Sequence, residues 1–335
     1  MAKTYIGMIL AGSLAVTSFA GHHSNAKRMF SNLNWTASGA AGITHSKKDG
    51  NESTRTHNIA GYLGLATKGF DAHFSVNSDT NGNSNDQIML DDMHVMGNQG
   101  ALHWSLGRTN VRDGFGESTN AAANAYIFGG QSINSRLIDD AALANNFVSP
   151  SSYKRDVLSL GTKFNQFNVA AIVGDAKDGT NPKYDVTGIN LGTAMHGFKM
   201  QMGFAKYDQD NDGATVNGKK DVTDLSVSTQ AGPVSLMAAY NQSKGKDYAA
   251  ATSNIKQKWF GLRASTKAMG KYTFTGQVER ADTASATQTK KPRAISFSVE
   301  TPLNATANIG LGYRQVTDAT DVKTKTTALR VSAHI

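Results

Sequence analysis

The sequence predicts a transmembrane antiparallel β-barrel of sixteen strands. Three observations carry that reading: apolar and polar residues alternate along the chain, short and long connections alternate between the alternating segments, and the composition is low in both apolar and charged residues. Of 335 residues, 39% are apolar and 18% charged, against about 45–50% and about 25% in ordinary soluble domains. Small polar residues and 33 glycines fill the difference, which argues against a helical bundle and against a helical membrane protein. Three Trp, ten Tyr and fourteen Phe spread through the chain argue against disorder.

The first segment sets the pattern. Leu33, Trp35, Ala37, Gly39, Ala41 and Ile43 alternate with Asn34, Thr36, Ser38 and Ala40. The same period of two recurs in Phe198, Met200, Met202 and Phe204, in Tyr272, Phe274, Gly276 and Val278, and in Leu329, Val331, Ala333 and Ile335. Strict alternation of this length reads as strands with one apolar and one polar face. In order, the predicted strands are 31–43, 54–67, 70–78, 87–96, 101–108, 155–164, 167–173, 185–193, 198–208, 221–229, 234–243, 256–265, 271–281, 293–300, 305–316 and 325–335.

Short turns are predicted at 68–69, 97–100, 165–166, 194–197, 230–233, 266–270 and 301–304. Longer polar loops are predicted at 44–53, 79–86, 109–154, 174–184, 209–220, 244–255, 282–292 and 317–324. Pro150, Pro182, Pro233, Pro292 and Pro302 all fall in these gaps, as expected of a residue that cannot donate to a ladder. A sandwich also gives many strands, but it does not explain why every second connection is short. A membrane barrel does, because one rim carries short turns and the other carries longer external loops. Closure satisfies every backbone group in lipid, and only half of each strand needs to be apolar.

Residues 1–20 read as a secretory signal peptide. Lys3 supplies the charge, Tyr5 to Val16 the apolar stretch, and Ser18 and Ala20 the small residues before cleavage. The apolar run is shorter than the roughly 20 residues of a membrane helix. Residues 21–335 then form the barrel domain. There is no cysteine, so disulfides, thiolate metal sites and a cysteine nucleophile are ruled out.

The chain resembles the Gram-negative general porins, the sixteen-stranded trimeric family. The resemblance covers the whole mature chain. It rests on the signal peptide, the strand count, the alternation of connections and one outsized third loop. It rests also on Arg155-Asp156-Val157-Leu158-Ser159-Leu160-Gly161 through Phe164-Asn165-Gln166-Phe167, a charged start, an alternating strand and an aromatic-flanked turn. The chain departs from the family at its end, closing on Ala333-His334-Ile335 rather than Phe or Trp. The resemblance implies a homotrimer in the outer membrane, among its lipid and lipopolysaccharide, passing small hydrophilic solutes and ions by passive diffusion. It implies that the third loop, 109–154, folds inward as a constriction. On that loop Asp113, Glu117, Asp139 and Asp140 are candidate acidic lining residues; capping of short helices, or pairing with Arg112 and Arg136, is the rival role for each.

Alternation places Arg155, Lys163, Lys199, Arg263, Arg314 and Arg330 in the inward register, with the acids Asp224, Glu279 and Glu300. A basic side chain facing lipid at the midplane costs about 2–4 kcal/mol, so inward placement is favoured. The excess of basic residues predicts a mild anion preference. Trp35, Phe70, Trp104, Phe164, Phe167, Phe198, Tyr240, Phe260, Tyr272 and Tyr313 are candidates for the interfacial girdles.

No cofactor or metal is expected. Asp208-Gln209-Asp210-Asn211-Asp212-Gly213 opens like a calcium loop, but Lys219 stands where the bidentate Glu is required. The nine histidines have no zinc-type spacing. No hydrolase elbow, P-loop or dinucleotide fingerprint is present, and no enzyme activity is expected. The net charge of +8 is scattered rather than clustered, which argues against nucleic acid as partner. The alternatives are a substrate-selective channel for phosphate, a dicarboxylate or a sugar, and a barrel-anchored adhesin or receptor.

Overall fold

The computed structural model describes residues 34–49, 53–67, 70–80, 87–110, 154–177, 183–210, 218–246, 255–283 and 291–334. These form sixteen strands: β1 (Asn34–Lys48), β2 (Ser53–Thr67), β3 (Phe70–Thr80), β4 (Gln87–Gln99), β5 (Leu102–Asn110), β6 (Lys154–Phe164), β7 (Phe167–Lys177) and β8 (Lys183–Met195), then β9 (Phe198–Asp210), β10 (Gly218–Ala231), β11 (Val234–Lys246), β12 (Ile255–Ala268), β13 (Tyr272–Thr283), β14 (Arg293–Pro302), β15 (Ala307–Thr317) and β16 (Lys323–His334). Each pairs antiparallel with its neighbours in sequence, and β1 pairs with β16, so the sheet closes. The seam is long, running from Ser38↔His334 to Lys48↔Thr324. Beyond it, the Asp49 amide donates to the Lys323 carbonyl at 2.9 Å.

The predicted connections stand in their order, but the strands run further toward the loop rim than the alternation suggested. β1 continues to Lys48 and β11 to Lys246. Charged residues there leave the apolar pattern yet keep the ladder, because backbone pairing continues above the lipid edge where both faces meet water. Pro302 is a second departure: it ends β14 opposite Asn308, at a strand end where its missing donor costs least. The signal peptide, the body of the third loop with Asp113, Glu117, Asp139 and Asp140, and the calcium-like loop lie outside the described residues, apart from Asp208, Gln209 and Asp210 at the end of β9.

The short turns use backbone that few residues tolerate. His196 and Gly197 both have positive φ, 51° and 81°, as a two-residue hairpin turn matched to strand twist requires. One bulge, between Ser75 and Val76, interrupts the β3–β4 register.

The two faces divide sharply. Outward positions carry Leu160, Phe164, Val173, Phe204, Phe274, Phe297 and Leu311, 45% to 72% exposed. In a soluble protein such a surface would signal a docking site or aggregation; around a closed barrel it is the lipid-facing band. Phe164, Phe167 and Phe198 flank the turns, while Tyr240 and Phe260 sit opposite each other toward the loop rim. These are the two edges at which aromatic girdles form.

Candidate functional site: the inner wall

Inward residues form rows that run across the strands. One row passes from Arg263 through Gln277, Ser296, Arg314 and Thr326 to Ser46. Side-chain hydrogen bonds join three of its neighbouring pairs. Arg263 donates from Nε and one Nη to Gln277 Oε1 at 3.2 and 3.1 Å. Arg314 Nε donates to Ser296 Oγ at 3.1 Å. Ser46 and Thr326 share a hydroxyl contact at 2.9 Å. Displaced by four residues on each strand toward the turns, a second row runs Lys267, Thr273, Glu300, Gly310, Arg330, Gly42.

Glycine shapes that second row. Arg330 lies between Gly310 and Gly42, so no side chain separates it from Glu300 across Gly310. A Cβ on Gly42 would stand 3.8 Å from Arg330 Cγ and 3.3 Å from the Leu329 carbonyl oxygen. Arg330 therefore lies down along the wall and is buried, at 6% exposure. Glu300 has Arg330 and Arg263 as its cationic neighbours.

Behind Arg263 is a buried anchor. Gln277 Nε2 donates to Glu279 Oε1 at 2.7 Å, and Trp259 Nε1 donates to Glu279 Oε2 at 3.3 Å. Trp259, Gln277 and Glu279 are all buried. The carboxylate thus fixes the amide whose oxygen receives the guanidinium. Trp259 and Gln277 were missed in the sequence. The signal was present for Trp259: Phe260 and Leu262 are outward, so its neighbour Trp259 must face in.

The other predicted basic residues lie elsewhere. Lys163 stands just before the Asn165–Gln166 turn and Lys199 just after the His196–Gly197 turn, both exposed at the turn-side mouth. Arg155 pairs with Thr109 near the loop end of β6, in the inward register of Ser159. Asp224 occupies β10 opposite Asn241 and Gly203. Thus Arg263, Arg314 and Arg330 share one wall, β12–β16, while Lys163, Lys199 and Arg155 do not join them.

On the far wall the inner face is different. Ile172 and Val186 are inward and buried, at 4% and 1% exposure, beside Ala170 and Asn190. At the loop rim, Asp318 accepts from the Thr320 hydroxyl and amide at 2.7 and 2.8 Å and from the Val322 amide at 3.0 Å. The Thr320 hydrogen bond holds the Asp318 carboxyl below its ordinary 3.8. No group of metal-ligating side chains occurs among the described residues.

The fold has close relatives in shape. An anion-selective porin from Comamonas acidovorans superposes with a TM-score of 0.62 at 14% identity, over 90% of this chain and 99% of that one. A loop L8 deletion mutant of OmpT, an outer membrane protein of Vibrio cholerae, gives 0.64 at 10% identity, over 91% and 100%. OmpF of Salmonella typhi, in complex with daunomycin, gives 0.63 at 10% identity, over 90% and 97%. No curated protein matches in sequence. Identities this low establish the shared barrel alone. A Gram-negative porin profile, however, matches residues 64–265, the stretch from β2 through most of β12. With a closed sixteen-stranded barrel, an apolar outside and a polar, arginine-bearing inside, the chain belongs to the Gram-negative porin family and is an outer-membrane channel protein.

Proposed function

We propose that this porin is a general diffusion channel with a mild preference for anions, acting without any catalytic step. The observation that carries the reading is the β12–β16 wall, where Arg263 and Arg314 are tethered along the inner surface and Arg330 lies buried against it. Fixed guanidinium groups lining a pore attract anions and repel cations, and water-filled width with salt screening keeps the preference mild. The buried apolar pair Ile172 and Val186 on the opposite inner wall supports an inward cover on that side, the role expected of 109–154. Acids there, Asp113, Glu117, Asp139 and Asp140, would face the arginine wall and set a transverse field across the passage. Lys163 and Lys199 act at the turn-side mouth and Arg155 toward the loop end.

We assign a homotrimer with one pore per subunit, by analogy with a trimer form solved for Vibrio cholerae OmpT. The outer face is in contact with membrane lipid and lipopolysaccharide. Planar-bilayer recording in a salt gradient tests the reading. Ohmic openings in groups of three, with a reversal potential of anionic sign, are expected. A folded, heat-modifiable barrel that never conducts would refute the channel and favour a receptor. The second reading, a channel selective for a carboxylate or phosphate solute, draws on the placement of Arg263 and Arg314 in one row; saturation of conductance by such a solute would identify it.

A further inference from the structure

Strand register brings a second set of chemistry-bearing residues together on the lumen face of the β3–β4 hairpin. The face is fixed by β5, where Leu102 and Leu106 are exposed at 44% and 53% while Ser105 is buried. Odd-numbered positions of β5 are therefore inward. Gly107 pairs with His94, His94 with His73, and His73 with Gly64, so this row occupies the lumen face. Two residues along from each histidine, on the same face, stand Asp71 on β3 and Asp92 on β4. Asp71 is opposite Met96 and Asp92 is opposite Ser75. Each aspartate thus takes a position diagonal to the histidine of the other strand.

Two histidines and two aspartates on adjacent register positions are a donor set for a metal ion. Directly opposite positions hold their Cβ atoms about 4.5–5.5 Å apart, and diagonal ones about 7–8 Å. Tetrahedral zinc takes nitrogen at about 2.0–2.1 Å and carboxylate oxygen at about 2.0–2.2 Å, so its ligating atoms stand about 3.4 Å apart. Histidines rooted at directly opposite positions can close to that separation on an undistorted ladder. Glycine flanks the pair on both sides, at 64 and 107, so neither neighbouring strand puts a Cβ beside it. The inward positions next to the aspartates hold no Lys or Arg: Tyr62 and Ala66 on β2, and Ser105 on β5. The β3–β4 bulge falls here as well. Ser75 pairs with Asp92 and Val76 with Leu90, which leaves Asp91 as the extra residue. Bulges gather beside functional sites, where they re-aim a neighbouring side chain.

We propose that His73, His94, Asp71 and Asp92 form a zinc site on the lumen wall. Imidazole and carboxylate donors together suit zinc. The ion would offset the two aspartate charges, so loading would move the pore toward anions. The site itself needs only the folded barrel, whereas its effect on ions rests on the channel reading.

Isothermal titration calorimetry with Zn²⁺ tests the site, on untagged, chelator-stripped protein in detergent. The parent for all measurements is H22Q/H23Q, which removes a competing histidine pair near the amino terminus. One zinc per subunit is expected. H73N/H94N should bind at least about tenfold more weakly, and D71N/D92N likewise. H103N removes another inward histidine, on β5 opposite Asn98, and should bind as the parent. Co²⁺ in the parent, which needs no variant to fold, should show the strong visible absorption of a four-coordinate ion. No zinc binding by the parent would overturn the proposal, as would full affinity in H73N/H94N or an octahedral cobalt spectrum. Equal weakening by H103N would also overturn it, since binding would then be diffuse. In bilayers, zinc should raise the anion-to-cation ratio of the parent roughly fourfold at 0.15 M salt. An unchanged ratio with zinc bound would overturn the link to selectivity, and a barrel that binds zinc without conducting would count against the channel reading alone.

Discussion

Removing Arg263 and Arg314 together, as R263Q/R314Q, should weaken anion preference by an amount that depends on salt in a defined way. Both guanidinium groups are held in one row on the inner wall, by Gln277 and Ser296, so their charges are fixed rather than averaged over a mobile side chain. An ion passing about 8 Å from such a head in water feels about 0.5 kcal/mol. At 0.15 M salt the Debye length of about 8 Å reduces this to about 0.2 kcal/mol. Two heads act with opposite sign on anion and cation, so their ratio changes by about 0.8 kcal/mol, roughly fourfold. At 0.01 M the Debye length is about 30 Å and the same sum gives about 1.6 kcal/mol, roughly 15-fold. Reversal potentials of wild type and variant in potassium chloride gradients, at both mean salt concentrations, read these ratios. An unchanged reversal potential at low salt refutes the assignment of this wall as the selectivity element. A change of equal size at both salt concentrations refutes the electrostatic mechanism, since it would reflect pore geometry.

Other perturbations follow from the same geometry. E279A removes the acceptor for Trp259 Nε1–H and Gln277; leaving buried donors unpaired costs about 1–3 kcal/mol, read as a lower temperature of the heat-modifiable mobility shift, while E279Q should recover part of it. G197A forces a Cβ onto a backbone at φ 81° and should cost about 1–2 kcal/mol by the same assay. G188V should be worse, because even a Cβ there would stand 2.8 Å from the Phe204 carbonyl oxygen, and overpacking costs about 1–3 kcal/mol. Asp318 is held below its ordinary 3.8 chiefly by Thr320, so its contribution to the β15–β16 loop is complete above that value and is lost as pH falls through the lower folded value. Amide exchange at Thr320 and Val322, corrected for intrinsic rate, should accelerate as pH falls below the ordinary 3.8 in wild type, and be fast throughout in D318A.

The barrel was readable because its two physical constraints write directly into sequence. Lipid demands an apolar residue at every second position, and closure by hairpins demands a turn or loop after each strand. Phe198, Met200, Met202 and Phe204 show the first and His196-Gly197 the second. Strand ends were less legible for the same reason. Above the lipid edge nothing requires alternation, so Lys244 and Lys246 read as loop although their backbones still pair with Lys256 and Lys219. Register also hid the closure partner: Arg330 meets Gly42 across the seam, a contact between residues at opposite ends of the chain that no local pattern specifies.

The inner wall was only half legible, and the reason lies in what alternation encodes. Period two assigns a face, and it put Arg263, Arg314 and Arg330 in the lumen together with Lys163 and Lys199. It does not assign depth or azimuth, which depend on shear accumulated over many strands. Only the paired ladder shows that Arg263 and Arg314 share a row while Lys163 and Lys199 stand at the mouth. Alternation is equally blind to support within a wall. Gln277 reads as one more inward polar residue, yet its amide joins a buried Glu279 to Arg263. The consequence is that charge and scaffold are separable here. In the proposed channel the arginines set the sign of the field, and Trp259, Gln277 and Glu279 hold one of its sources in place. A variant of the first kind should alter selectivity and leave barrel stability nearly intact. One of the second kind should reduce stability and loosen selectivity together, because a guanidinium released from its tether spreads its charge over a larger volume of water.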